Sequence, residues 1–165
     1  KSSFALDNNA TSSDRMMTAM GQGETLVSPY HMALITSAVA NGGRLMEPYL
    51  VEEVTNYSGT IVEETDPESY GQLMTSEEAA QLKAYMQNVT DYGTGSVFAG
   101  SGYSVAGKTG TAEYSDGDSS KNHSWFVGFT NVDNPELVIS VIIEQADGSA
   151  KAVNIAKKVF DAYYQ

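Results

Sequence analysis

The last part of the chain carries the clearest strand signals, including a near-continuous β-branched run over 136–144 that is typical of a strand covered on both faces. Three runs are typical of β-strands, namely 103–113, 124–130 and 136–144. The turn Asp133–Pro135 between the last two runs is short enough to require that they pair antiparallel. From about Lys151 onward, apolar residues recur at the spacing of one helix face: Ala152, Ile155, Ala156, Val159, Phe160 and Tyr163. The pattern predicts an α+β fold in which a helix packs on an antiparallel sheet.

Helix signals dominate the chain before these strands. Polar residues 11–14 offer caps for a short helix over Arg15–Met20, whose methionines are predicted to be core residues. A Ser-Pro pair at 28–29 starts a helix through Ala40 that is apolar nearly all round, which predicts burial on several sides. Thr75 and Glu78 fit a capping box at the start of a third helix, which is expected to reach about Thr90.

A short accessory hairpin is predicted within residues 40–70. The runs 49–54 and 60–63 have strand character and flank the turn residues 56–59. Both faces mix apolar and polar side chains, so we expect an exposed ribbon rather than a core element.

Composition narrows the function classes. The chain has 165 residues, a net charge of −12, two histidines and no cysteine. Nucleic acid and anionic lipid are therefore disfavoured partners, disulfides and thiol chemistry are excluded, and no metal or other cofactor is expected. No apolar run is long enough to predict a membrane segment. Because the chain opens with Lys1 and not Met, we expect it to be a piece of a longer protein.

The string Lys108-Thr109-Gly110-Thr111 is the most informative one and has three interpretations. Residues 102–109 match the phosphate-binding P-loop pattern, but that loop must open a helix, and the residues that follow are rich in Gly and Asp. A second interpretation is an exposed lysine that protects a strand edge from aggregation. The third is the Lys-Thr-Gly motif of serine acyl-transfer enzymes. There the cation and hydroxyls bind a carboxylate, and Gly110 lets another backbone approach.

Three strings in the same order make the third interpretation specific. They are residues 21–29, which lead into the helix ending at 40–43, then residues 106–113, and then 123–129. Together they resemble the C-terminal half of the transpeptidase domain of class B penicillin-binding proteins. On this basis the whole chain, residues 1–165, is expected to be the C-terminal portion of one such domain.

This resemblance implies a reaction and a set of site residues. In the family, an activated serine attacks the carbonyl before the terminal D-Ala of a peptidoglycan stem peptide, and β-lactams acylate the same serine. Lys108 is implied to supply positive charge on one wall of the cleft. Thr109, Gly110 and Thr111 are implied to bind the carboxylate of the substrate or the β-lactam, and the Thr111 N–H to donate to the oxyanion.

The chain also departs from the family pattern. No serine is followed by a lysine three positions later, so the S-x-x-K nucleophile motif is absent from these residues. An S-x-N string occurs only at 120–122, after Lys108, where the family places it before, and we interpret it as a coincidence in a loop. The chain alone is therefore expected to be inactive. His123 is interpreted as a structural residue rather than a base.

Two further expectations concern partners and location. Uncovered apolar surface on the 30–40 helix and on one sheet face predicts self-association or rearrangement. The resemblance implies an extracytoplasmic location at the bacterial membrane. A β-lactam-sensing domain of the same fold remains the principal alternative to an enzyme, with the P-loop at Gly102–Thr109 as the other.

Overall fold

A computed structural model describes residues 1–113, 122–146, 148 and 151–165. The helices are α1 Ser12–Ala19, α2 Pro29–Ala40, α3 Ser76–Asp91 and α4 Ala152–Tyr163, with a 3₁₀ turn at Ser96–Phe98. The strands are β1 Arg44–Met46, β2 Glu53–Thr55, β3 Ile61–Glu64, β4 Ser69–Gln72, β5 Val105–Glu113, β6 Asn122–Thr130 and β7 Leu137–Ala146.

The three C-terminal strands form one antiparallel sheet in the order β5-β6-β7, as the pattern predicted. The register between β5 and β6 is regular from the pair Val105 and Thr130 to the pair Glu113 and Asn122. The first strand begins two residues later than predicted. Tyr103 precedes it and instead packs its ring edge-on against Phe160 of α4.

Helices cover both faces of this sheet and divide the core in two. On one face α4 packs over a cluster that contains Val105, Phe126 and Phe160. On the other face Ala106 and Phe129 meet residues of α2 such as Val39. Because side chains alternate along a strand, successive residues of β5 enter opposite cores. The predicted α+β architecture is therefore confirmed.

Phe126 fills the centre of the first core and lies against the backbone of the neighbouring strand. Its ring is fully buried and lies 5.5 Å, centroid to centroid, from that of Phe98. A Cβ added to Gly107 would lie 2.4 Å from Cζ of Phe126 and 3.0 Å from the carbonyl oxygen of Val127. Only glycine at position 107 leaves room for the aromatic ring.

The first helix differs from its prediction in its bounds and in its burial. The cap is Thr11, whose hydroxyl accepts from the amide of Asp14 while the Asp14 carboxylate accepts from the Thr11 amide. Hydrogen bonding to Thr11 lowers the pKa of Asp14. The prediction that the methionines are core residues is wrong, because α1 buries no residue and the side chain of Met16 is 68% exposed.

The other two helices before the sheet follow their predictions more closely. Helix α2 begins at Pro29, but its fully buried residues all lie in its C-terminal half, where Val39 and Ala40 pack in the second core. Helix α3 has the predicted capping box of Thr75 and Glu78. Within the described residues, no helix is both long and apolar enough to cross a bilayer.

The predicted hairpin is present as the exposed pair β2 and β3. A second pair, β1 and β4, was not predicted and closes the base of this segment. Its strands are three and four residues long, and an irregular register interrupts them, so they carry no alternation that sequence could display.

A polar cluster ties the residue before β5 to the last helix. The hydroxyl of Tyr103 donates to Oδ1 of Asp161 at 2.6 Å, and Nζ of Lys157 lies 2.7 Å from the same oxygen. Burial, together with the hydrogen bond to Asp161, raises the pKa of Tyr103 to about 12. Hydrogen bonds from Lys157 and Tyr103 lower the pKa of Asp161.

Replacing Gly107 should test the contact with Phe126. Gly107→Ala is expected to lower the free energy of unfolding by about 1–3 kcal/mol, because the added methyl must displace a buried ring. Gly102→Ala is the matched control, since a Cβ there meets nothing within 4 Å, and it should change stability by less than about 0.5 kcal/mol. Urea denaturation of both variants decides the matter, and equal effects would contradict the packing argument.

Removing the Tyr103 hydroxyl should have a pH-dependent effect on stability. Tyr103→Phe is expected to cost about 0.5–1.5 kcal/mol at neutral pH through the lost hydrogen bond. The folded protein holds this phenol neutral to a pKa of about 12, against 10.0 ordinarily, so its contribution is complete below pH 10 and is lost toward pH 12. The difference in unfolding free energy between wild type and variant should shrink across that window. A constant difference would show that Tyr103 does not titrate as described.

Candidate functional site

The Lys-Thr-Gly-Thr string lies in the middle of β5, at the edge of the sheet. Strand β5 pairs with β6 on one side and, among the described residues, with no strand on the other. Its start is anchored, because the buried hydroxyl of Thr90 in α3 donates to the carbonyl of Val105 at 2.5 Å. The string is therefore presented along an open edge by a strand whose first residues are fixed in the core.

Alternation along β5 separates Lys108 from the two threonines. Lys108 is two residues after Ala106 and therefore lies on the same sheet face, which α2 and α3 cover. Thr109 and Thr111 follow Val105 at even spacing and lie on the opposite face, which α4 covers. The Lys108 side chain is exposed, and its ammonium donates to the carbonyl of Thr109 at 2.6 Å. The cation therefore stays close to the strand backbone.

The threonine side of the strand borders a cavity of about 260 Å³. Thr109, Gly110 and Thr111 line it together with Thr94, whose hydroxyl lies 2.5 Å from that of Thr109. Lys151, directly before α4, also lines this cavity and is the lysine among its lining residues. Hydroxyl groups next to an ammonium suit a carboxylate, which accepts charge-assisted hydrogen bonds.

Three of the four predicted site residues thus share one cavity, and Lys108 is not part of its lining. Thr94 and Lys151 were missed by sequence reasoning. Lys151 directly precedes α4 and Thr94 lies in the loop after α3, so neither position carries a local sequence signal of a site. Only the folded chain brings them to the strand.

Gly110 permits a close cross-strand contact, although not the backbone approach that was expected. Its partner in the register is Trp125, and a Cβ at position 110 would lie 3.1 Å from Cβ of that residue. His123, also on β6, accepts at Nδ1 from the amide of Gln145 at 3.0 Å. His123 also lines the cavity next to Thr109 and Thr111, so its interpretation as a structural residue stays a prediction.

Comparison with known proteins identifies the family. A sequence model described as the penicillin binding protein transpeptidase domain matches residues 2–164. The chain belongs to this family. The resemblance to class B penicillin-binding proteins is thereby confirmed.

Individual relatives agree with this assignment. The chain is 33% identical to the peptidoglycan D,D-transpeptidase MrdA of Haemophilus influenzae, over 91% of this chain and 26% of that protein. It is 33% identical to the stage V sporulation protein D of Bacillus subtilis, over 82% of this chain and 22% of that protein. The chain therefore spans about a quarter of the length of these relatives.

A solved structure shows the same fold. The imipenem acyl-enzyme complex of penicillin-binding protein A from M. tuberculosis superposes with a TM-score of 0.78 at 29% identity. The match covers 90% of this chain and 33% of that one.

The loop at residues 21–23 reaches the Lys-Thr-Gly strand of this transpeptidase-family chain. Gln22 donates from Nε2 to the carbonyl of Thr111 at 3.4 Å, although the two residues are 89 positions apart. From the sequence, residues 21–29 were expected only to lead into α2. The repeated glycines indicated a turn, and nothing in them indicated contact with β5.

The P-loop interpretation of residues 102–109 is wrong. Val105 to Glu113 form one continuous strand, so Lys108 and Thr109 lie inside a strand and do not open a helix. The backbone amides of a helix N-terminus, on which phosphate binding depends, do not follow Thr109. Of the S-x-N string at 120–122, residues 120 and 121 lie outside the described part of the chain.

Proposed function

We propose that residues 1–165 are the C-terminal portion of one class B transpeptidase domain. The whole protein cross-links peptidoglycan stem peptides by serine acyl transfer and is acylated by β-lactams. The observation that carries this proposal is the family's Lys-Thr-Gly-Thr string on an open sheet edge, with both threonines on one cavity. Names of relatives that include D,D-transpeptidase, and acyl-enzyme complexes among the similar structures, support it.

The proposed role of the threonines is to bind the terminal carboxylate of the donor peptide. Thr109 and Thr111 are spaced two positions apart, which puts both hydroxyls on the same side of β5. Lys151 adds an ammonium at the same cavity. The carboxylate then accepts hydrogen bonds and is held against the strand, which places the preceding D-Ala carbonyl next to the edge.

The proposed role of Lys108 is electrostatic. Its exposed ammonium stays near the Thr109 carbonyl and makes this wall of the cleft positive. At physiological ionic strength distant charges are largely screened, so this local cation matters more to an anionic substrate at the strand than the net charge of −12. The Thr111 N–H is proposed to donate to the oxyanion that forms as the serine attacks.

The nucleophile is proposed to lie in another part of the whole protein, since no S-x-x-K string occurs in these residues. The same proposal puts the protein on the extracytoplasmic face of the bacterial membrane, where peptidoglycan is cross-linked. Met16, Met20 and Tyr30 expose more than half of their side-chain surface on the first two helices. We propose that the rest of the domain, or a second copy of the chain, covers this apolar surface.

Labelling with a fluorescent penicillin tests where the nucleophile lies. The isolated chain is expected to form no covalent adduct, because an unactivated serine does not attack the lactam. Denaturing gel electrophoresis with in-gel fluorescence is the measurement. A penicillin-binding protein with an intact S-x-x-K motif serves as the positive control, and a fluorescent band from this chain that boiling before labelling abolishes would overturn the proposal.

Titration with acetyl-D-alanyl-D-alanine tests the carboxylate site. Amide signals of Thr109, Thr111 and Lys151 should shift in ¹H–¹⁵N spectra, and the methyl ester of the dipeptide should shift them far less. A hydrogen bond to a charged group contributes about 1.5–3 kcal/mol, so Thr109→Val should weaken binding roughly tenfold or more. Thr60→Val, at an exposed turn outside the site, is the control and should bind as wild type. Equal shifts with the ester would contradict the assignment.

A further inference from the structure

The segment between β1 and β4 projects from the rest of the molecule. We define residues 47–68 as the acidic ribbon. Its base is closed by the amide of Glu47, which donates to the carbonyl of Glu68 at 2.8 Å. Beyond that base, β2 and β3 pair with each other and form a two-stranded sheet of their own.

The acidic ribbon is ordered by its own hydrogen bonds. At the tip, Oδ1 of Asn56 accepts from the amides of Ser58 and Thr60 at 2.9 and 3.0 Å. Nearer the base, Thr65 donates from its amide to the carbonyl of Glu52 and from its hydroxyl to that of Val51. A surface that is already ordered loses little conformational entropy when it binds.

Large apolar side chains on the ribbon have no cover. Leu50 and Tyr57 are fully exposed. Three apolar residues of strands β2 and β3 are each more than 40% exposed, namely Val54, Ile61 and Val62. Neither face of the two-stranded sheet is buried against the body. Ile61 and Val62 are successive residues of β3 and point to opposite faces, so both faces of the ribbon present apolar side chains. Large exposed apolar surface on an ordered element is typical of an interaction site.

The charge of the ribbon has one sign. Residues 45–82 contain nine acidic and no basic residues, and seven of the nine lie within the ribbon. Glu53 and Glu64 are direct cross-strand partners in the register. Like charges directly opposite each other destabilise a sheet, so the ribbon carries a local electrostatic cost that a cationic partner removes. The negative charge also affects residues at the base of the ribbon, because the charge of Glu47 raises the pKa of Tyr70.

We propose that the acidic ribbon is a docking surface for a protein partner whose contact surface is apolar at its centre and basic around it. Protection of sheet edges against aggregation would explain the glutamates, but it leaves the fully exposed Leu50 and Tyr57 unexplained. The ribbon and the Lys-Thr-Gly strand are separate elements, so a test of the docking proposal gives no result on the proposed acyl-transfer function.

A second copy of the chain is the competing occupant. Helix α4 exposes Ile155 and Val159 and carries Lys158 between them in sequence, which gives a small basic and apolar stripe. Each copy has a net charge of −12, however, and this repulsion opposes a contact between copies. The charge balance therefore favours a different, basic protein.

The probe is a synthetic amphipathic helical peptide of leucine and lysine, with a scrambled peptide of the same composition as its comparison. In ¹H–¹⁵N spectra at physiological salt, the amphipathic peptide should shift signals of residues 47–68 and bind more tightly than the scrambled one. Glu53→Gln with Glu64→Gln should weaken binding roughly tenfold, as expected for lost charge pairs. The same double variant should be at least as stable as wild type, because a like-charge pair is removed. If the two glutamates only stabilised the fold, replacing them would lower stability, and weaker binding would not occur together with unchanged or higher stability.

Matched variants complete the test. Asp133→Asn with Glu144→Gln removes the same charge outside the ribbon and should leave binding within about twofold of wild type. Leu50→Ser with Tyr57→Ser should also weaken binding, because it removes the apolar contacts. Shifts confined to other elements, equal binding by the scrambled peptide, or unchanged binding by the double glutamine variant would overturn the proposal. Self-association in sedimentation that the ribbon variants abolish would assign the surface to a second copy instead and would also overturn it.

Discussion

Close packing of the Phe126 ring against the backbone of β5 is the constraint on which the rest of the structure depends. The ring occupies the space of a Cβ at Gly107, and a Cβ on the cross-strand residue Gly128 would also lie 2.9 Å from it. Through Phe98 and Phe160 the same ring connects the sheet to the 3₁₀ turn and to α4. The backbone ladder sets the spacing of β5 and β6. The aromatic contact requires glycine at positions 107 and 128 and ties the sheet to the helix that covers it.

The candidate site follows from this arrangement by strand geometry alone. Once Gly107 is held against Phe126, the next residues of β5 alternate between the two sheet faces. Thr109 and Thr111 come to the side of α4, where Lys151 precedes the helix, and Lys108 comes to the opposite side. The cation and the hydroxyls of the motif are neighbours in sequence but act from different sides of one strand.

The parts of the fold that sequence predicted are those whose residues interact with near neighbours. The β-rich runs of the C-terminal strands and the capping box of Thr75 and Glu78 are local sequence signals, and the structure contains both features. Contacts across long separations were missed. Gln22 meets Thr111 only because the loop at 21–23 folds back onto strand β5, and the methionines of α1 follow a helical spacing although none of them is buried. The motif residues were found by family resemblance, whereas Thr94 and Lys151 carry no local signal of a site.

The charged residues are distributed so that the electrostatic potential at the candidate site is not set by the negative net charge of the whole chain. Nine of the 21 acidic residues lie in 45–82, a stretch without a single basic residue, whereas the strand motif and the start of α4 each have a lysine. At physiological ionic strength, exposed charges beyond a Debye length of about 8 Å are largely screened. An ion at the cavity therefore experiences mainly the charges of nearby residues such as Lys108 and Lys151, and little of the net charge of the chain. The acidic residues are concentrated on the projecting ribbon, an element separate from the strand that carries the lysine and the threonines of the motif.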